Sequence, residues 1–80
     1  MARYFLHLHE CGTVLKDLEG QECASLEAVR RVAVDNARDI MIGEVRHGRL
    51  CLGCFISVEN EAAQEVDRVH FRDVVEVTGL

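Results

Sequence analysis

Proline and tryptophan are absent from this chain, and lysine occurs once, at Lys16. Without proline there is no proline-rich linker. No low-complexity run or internal repeat divides the 80 residues either, so they read as a single domain, 1–80. Basic excess is missing as well: the net charge is −5 and there is no Lys/Arg tail. A general nucleic-acid binder draws its non-specific affinity from neutralising phosphates, so this balance argues against one while leaving room for a local basic patch. No segment approaches the ~18 consecutive apolar residues of a membrane span. The opening Met1–Glu10 has one basic residue, a short apolar region and no small-residue cleavage site, so no signal peptide is read there. A glycine-rich phosphate loop, a nucleophile elbow and a carboxylate pair on a cleft are all lacking, and Ser25 and Ser57 have no evident base, so no enzymatic activity is expected. The expectation is a cytoplasmic protein whose four cysteines are free thiols.

What the chain does have is a change of hydrophobic period. Tyr4, Leu6 and Leu8 alternate with polar or aromatic neighbours, then apolar residues recur at three and four from Leu26 to His47, and Leu50, Leu52, Cys54, Ile56 and Val58 alternate again. Period two, period 3.6 and period two predict an α+β domain of ββαββ order, a four-stranded, mostly antiparallel sheet with one long helix packed on one face. The strands are expected at Arg3–His9, Thr13–Asp17, Leu50–Val58 and Val66–Phe71, the last resuming at Val74–Val77 after a bend at Arg72-Asp73. Sheet order 2-1-3-4 would place the first and third strands in the centre. Ser25 suits the helix N-cap, Glu27 the positive helix end, and Gly48 a left-handed stop. Leu26, Val29, Val32 or Ala33, Ala37, Ile40, Met41 and Val45 form the expected buried stripe. Gly43 is unfavourable inside a helix and marks either a close approach to the sheet or an earlier helix end.

Alternation divides the sheet into two faces. Tyr4, Leu6 and Leu8 point to the helix, so the opposite, open face gathers Arg3, Phe5, His7 and His9 with Phe55 and Ser57, and Arg68, His70 and Arg72 at its edge. Aromatics on central strands ringed by basic residues are how a sheet stacks unpaired bases. They are equally the centre of a homodimer interface, and for a chain this short that reading leads. About 60% of the unfolded surface is buried in such a domain, and pairing is the common way to cover a bare sheet face.

Cys51-Leu52-Gly53-Cys54 has the CxxC spacing of zinc and redox sites. Placed in a strand, residues three apart point to opposite faces, so Cys54 faces the core, Cys51 faces away, and no metal site is expected. Cys11 and Cys23 flank the second strand and would form a bridge only in an oxidising compartment. His7, His9 and His70 share a face, but no carboxylate of fitting spacing completes a metal set. No cofactor follows from these patterns.

The opening Met-Ala-Arg-Tyr-Phe-Leu-His-Leu, the Asp17-Leu18-Glu19-Gly20 turn, the Ser25-Leu26-Glu27-Ala28 helix start and Val69–Glu76 together resemble a family of short, uncharacterised alphaproteobacterial proteins, a domain of unknown function that begins M-x-R-Y-F-x-H-x. The likeness covers nearly the whole chain. It implies a bacterial cytoplasmic domain and brings no activity, cofactor or catalytic residue. Ser25-Leu26-Glu27-Ala28 is also similar, locally, to the helix start of HicB-type antitoxins, which bind an mRNA-cutting toxin. The leading expectation is therefore a small non-enzymatic interaction module, self-associating through the open sheet face or binding another protein. The alternative is a nucleic-acid-linked regulator such as a HicB-like toxin-neutralising protein.

Overall fold

A computed structural model describes all of residues 1–80. The elements in chain order are β1 (Ala2–Glu10), β2 (Thr13–Leu15), β3 (Gln21–Cys23), α1 (Leu26–Arg46), β4 (Phe55–Glu59) and β5 (Glu65–His70), followed by a 3-10 turn at Phe71–Asp73. The five strands form one antiparallel sheet. Its order is β2-β1-β4-β5, and β3 also pairs with β1. The fold is the α+β arrangement that the hydrophobic periods predict, with one strand more than expected.

That strand arises where a second strand at Thr13–Asp17 was anticipated. β2 ends at Leu15, after pairing Leu8↔Leu15 and Glu10↔Thr13, and β3 resumes against the start of β1 with Tyr4↔Gln21 and Ala2↔Cys23. Between them Lys16–Gly20 bulges out. The Leu6 amide, left without a backbone partner on that edge, donates to Asp17 Oδ2 at 3.1 Å. A side-chain carboxylate thus stands in for the missing rung, because an unpaired amide in a sheet is costly.

The helix begins where the sequence places it. Ser25 Oγ accepts from the Ala28 amide at 3.1 Å. At the other end the Arg49 amide donates to the Glu44 carbonyl at 3.1 Å and that of Gly48 to Val45 at 2.9 Å, with Gly48 left-handed at φ +78°. This is the Schellman pattern, and it turns the chain back toward the sheet. Val29, Ala33, Ala37 and Met41 are the buried stripe. Leu26 and Val45 are not part of it: they are 48% and 58% exposed, because the first and last turns overhang the sheet. Gly43 approaches nothing; a Cβ there would meet no atom within 4 Å, and the helix runs on past it. No helix is long and apolar enough to cross a membrane.

The third expected strand, Leu50–Val58, is shorter in fact. Residues 50–54 form a loop, and β4 starts at Phe55. Alternation in Leu50, Leu52 and Cys54 imitates a strand, but the chain leaving the helix must first cross to the sheet, and this stretch makes the crossing. The last strand also stops early, at His70. Residues 71–73 wind into the 3-10 turn, and no strand forms at Val74–Val77. The Phe71 amide donates to the Cys54 carbonyl at 3.0 Å, and its ring, fully buried, is the largest completely enclosed side chain. Ile56, Val58 and Val69 complete the core beneath the helix. The tail is strapped to the helix where Arg38 Nε donates to the Val74 carbonyl at 2.9 Å.

Two substitutions test this packing in opposite directions. Phe71→Ala is expected to destabilise by about 3–5 kcal/mol through lost transfer energy and the cavity left behind. Gly43→Ala, in open space on a continuous helix, is expected to stabilise by about 1 kcal/mol. Urea unfolding followed by circular dichroism measures both.

Candidate functional site

The sheet face away from the helix carries a strip of rings that begins on β1. Phe5 and His7 lie two residues apart on that strand, their centroids 6.5 Å apart and their planes within 9°. Further along, His9 stacks on Phe55, its partner in β4, at 4.3 Å and 13°. From the β5 side His70 tilts against Phe55 at 5.5 Å, and Arg68 Cζ sits 4.3 Å from the Phe55 centroid. Phe55 is therefore flanked on both sides, by an imidazole from β1 and a guanidinium from β5. Cross-strand aromatic and cation–π contacts of this kind each contribute of the order of 0.5–1 kcal/mol.

The polar groups of the face are tied to one another. His7 is buried, and its Nδ1 accepts from the Asp17 amide at 3.0 Å, so in the neutral ring the proton sits on Nε2, which faces Glu59 Oε1 at 3.2 Å. His9 Nε2 lies 2.9 Å from Ser57 Oγ. Arg68 pairs with Glu65 at 3.0 Å, and Arg3 pairs with Glu22 at 3.7 Å while donating to the Glu19 carbonyl at 2.6 Å. The face is thus a mosaic of both signs rather than a basic patch. Arg72 is not on it: the 3-10 turn carries this residue past the sheet edge. Arg3, Phe5, His7, His9, Phe55, Ser57, Arg68 and His70 do share the face.

Ser57 has an imidazole partner after all, which the sequence did not reveal because the two residues meet only through the β1–β4 register. The pair lines a recess of about 210 Å³ with His7, Glu59, Lys16 and Glu65. Ser57 is itself buried, and the His9 ring is oriented by stacking on Phe55 rather than by a carboxylate. In an activated nucleophile of the triad kind the base is instead oriented by a third, hydrogen-bonding group.

Asp17 is the residue whose weight the sequence understated. Its carboxylate accepts from the amides of Leu6, Glu19 and Gly20 at 3.1, 3.2 and 3.0 Å. Burial alone would push its pKa up. The amides of Gly20, Leu6 and Glu19, together with the nearby His7, outweigh that and hold the pKa below the ordinary aspartate value. Gly20, at φ +72°, lets this turn lie against β1, since a Cβ there would stand 2.8 Å from the Phe5 ring. The turn signal Asp17-Leu18-Glu19-Gly20 was visible; its docking on β1 was not.

A second cluster lies at the end of the sheet. The two-residue turn between β1 and β2 is Cys11-Gly12, with both residues left-handed at φ +33° and +84°. Its thiol meets those of the loop before β4: Cys11, Cys51 and Cys54 hold their sulfurs within 4.8 Å of one another. Cys11 Sγ and Cys51 Sγ are 3.5 Å apart. The opposite-face expectation for Cys51 and Cys54 fails because neither lies in β4. Cys23 is elsewhere, in the core beside the helix, and does not join the Cys11 cluster. The histidines do not form such a group: His9 and His70 are separated by the Phe55 ring.

Over residues 3–72 the chain matches the model of the family described as Domain of unknown function (DUF6894). It belongs to that family. No curated protein and no solved structure matches it. The matched stretch of this DUF6894 domain holds the ring strip, the Asp17 turn and the three clustered thiols.

Because the folded-state pKa of Asp17 is depressed, its contribution to stability is complete above the ordinary aspartate value near 3.9 and is lost as pH falls through the lowered one. Asp17→Asn should cost about 1–3 kcal/mol at neutral pH. It should also flatten the loss of stability on acidification relative to the unaltered protein. Urea midpoints measured from neutral pH down to pH 3 check both effects.

Proposed function

We propose that this DUF6894 domain is a non-enzymatic interaction module that pairs with a second copy of itself through the open sheet face. The observation that carries the reading is the His9–Phe55–Arg68 end of the ring strip, on the face away from the helix, whereas the Asp17–Gly20 turn lies against its Phe5–His7 end. Its surroundings suit a twofold contact, in which each patch meets its own copy. Apolar rings lie at the centre, and charges of both signs, Arg68 with Glu65 and Arg3 with Glu22, lie around them. That is the core-and-rim composition of protein interfaces. The thinness of the core supports it too: 13 of 80 residues are buried, so further burial on pairing would add substantially to stability.

The same geometry favours this over a nucleic-acid-linked, HicB-like regulator. Phosphate binding needs cations free to pair, and here Arg3 and Arg68 each already face a carboxylate. Base stacking needs an open ring face, and His9 and Arg68 occupy the two sides of Phe55. The four free thiols fit a reducing compartment such as the cytoplasm.

Light scattering of the purified protein across a concentration series is expected to give twice the monomer mass. Phe55→Asp should raise the dimer dissociation constant by at least about a hundredfold, since an unpaired carboxylate buried against apolar surface costs several kcal/mol. Arg68→Glu, at an exposed position, should weaken pairing as well. A monomer mass at every concentration for the unaltered protein refutes self-association by this face. Single-stranded RNA binding abolished by Phe55→Ala would replace the reading with the nucleic-acid one.

A further inference from the structure

We propose that Cys11, Cys51 and Cys54 bind a thiophilic metal ion, with zinc as the ion that fits best, and that the ion clips the β1–β2 hairpin tip to the loop before β4. Three sulfurs converge within 4.8 Å, with Cys11 and Cys51 at 3.5 Å. Thiolates around tetrahedral zinc, at a Zn–S distance of about 2.3 Å, lie about 3.8 Å apart, so small side-chain movements would form three ligands. Soft thiolates select zinc and copper(I) over the harder cations. The three come from two separate connections, one thiol exposed, one half-buried and one buried, so the cluster has an open side for entry.

Two further observations point the same way. Cys11 occupies a left-handed position, φ +33°, that Asn, Asp or Gly adopts at lower cost. The two-residue hairpin turn imposes this conformation, and within it the thiol lies close to the other two. Beside Cys11 is a recess of about 650 Å³ that Glu44 and His47 also line. Glu44 Oε1 is buried there without any hydrogen-bond partner.

Hydrogen bonds from Cys54 and Cys11 hold the Cys51 thiol below the ordinary thiol range. Burial, then the neighbouring Cys51, pushes Cys54 up to about 12, and the hydrogen bond with Cys51 raises Cys11. Each thiol that ligates releases its proton to solvent, so affinity rises with pH. A small domain with so few buried residues gains most from a clip between loops.

Reduced, metal-free protein titrated with Co²⁺ near neutral pH is the test. One equivalent is expected to produce a sulfur-to-cobalt charge-transfer band with the intense visible absorption of tetrahedral cobalt. One equivalent of Zn²⁺ should displace it and raise the melting temperature. Cys11→Ser and Cys51→Ser should each weaken zinc binding by at least about a hundredfold, and Cys23→Ala not at all. Cys11→Asn separates the metal from the turn: it should relieve the left-handed position, raise the melting temperature of the metal-free protein and abolish the charge-transfer band. The proposal is overturned if reduced, folded protein gives no such band, or if the band survives Cys11→Asn.

Discussion

One helix can cover one face of one sheet. Everything distinctive here follows from that limit. The 21-residue α1 places its small-residue stripe, Ala33 and Ala37 between Val29 and Met41, against β4 and β5, and all the large enclosed side chains lie on that side. The other face has no helix over it, so apart from the Asp17 turn that meets His7 its residues satisfy one another across strands. Rings stack on rings across strands, histidines bond to Ser57 and Glu59, and arginines lie over Phe55 or against the acids at the rim. A wholly apolar face would be a liability in water; here the rings are interspersed with paired charges.

A second constraint is the shortness of the chain on the β2 edge. β1 has nine residues, while β2 and β3 have three each, so the middle of β1 lacks a strand beside it. Asp17 resolves this with one carboxylate that accepts the Leu6 amide and the amides of its own turn, while its backbone amide donates to His7 Nδ1. The edge and the open face are therefore coupled: the residue that completes the sheet also fixes the orientation of His7, which stacks with Phe5 in the ring strip. Gly20 permits the close approach of this turn to Phe5.

The ends of the sheet follow a different logic. Connections there are short and pack little apolar surface. The hairpin tip at Cys11-Gly12 and the loop before β4 come together through sulfur rather than through a hydrophobic cluster. The Schellman turn at Gly48 sends the chain toward that meeting point. The hydrogen bond from Phe71 to the Cys54 carbonyl then anchors the loop from the core side. Core, edge and loop cluster are held by three different kinds of contact, each suited to how much water reaches it.

The change of hydrophobic period was enough to read the α+β class, the single long helix with its Ser25 cap and Gly48 stop, and the division of β1 and β4 into a helix-facing and an open side. These are local properties, set by side-chain spacing and by capping groups a few residues apart. Where alternation was taken too far, at Leu50–Cys54 and Val74–Val77, the pattern itself was sound, but a strand also needs a neighbour to pair with, and that is not a local property. The extra strand β3, the docking of Asp17 on β1, the His9–Ser57 contact, the departure of Arg72 from the face and the union of Cys11 with Cys51 and Cys54 were decided only by tertiary structure. Each joins residues at least 10 apart in sequence, or depends on where a strand stops pairing, and sequence spacing carries no signal for contacts that only strand register and loop placement create.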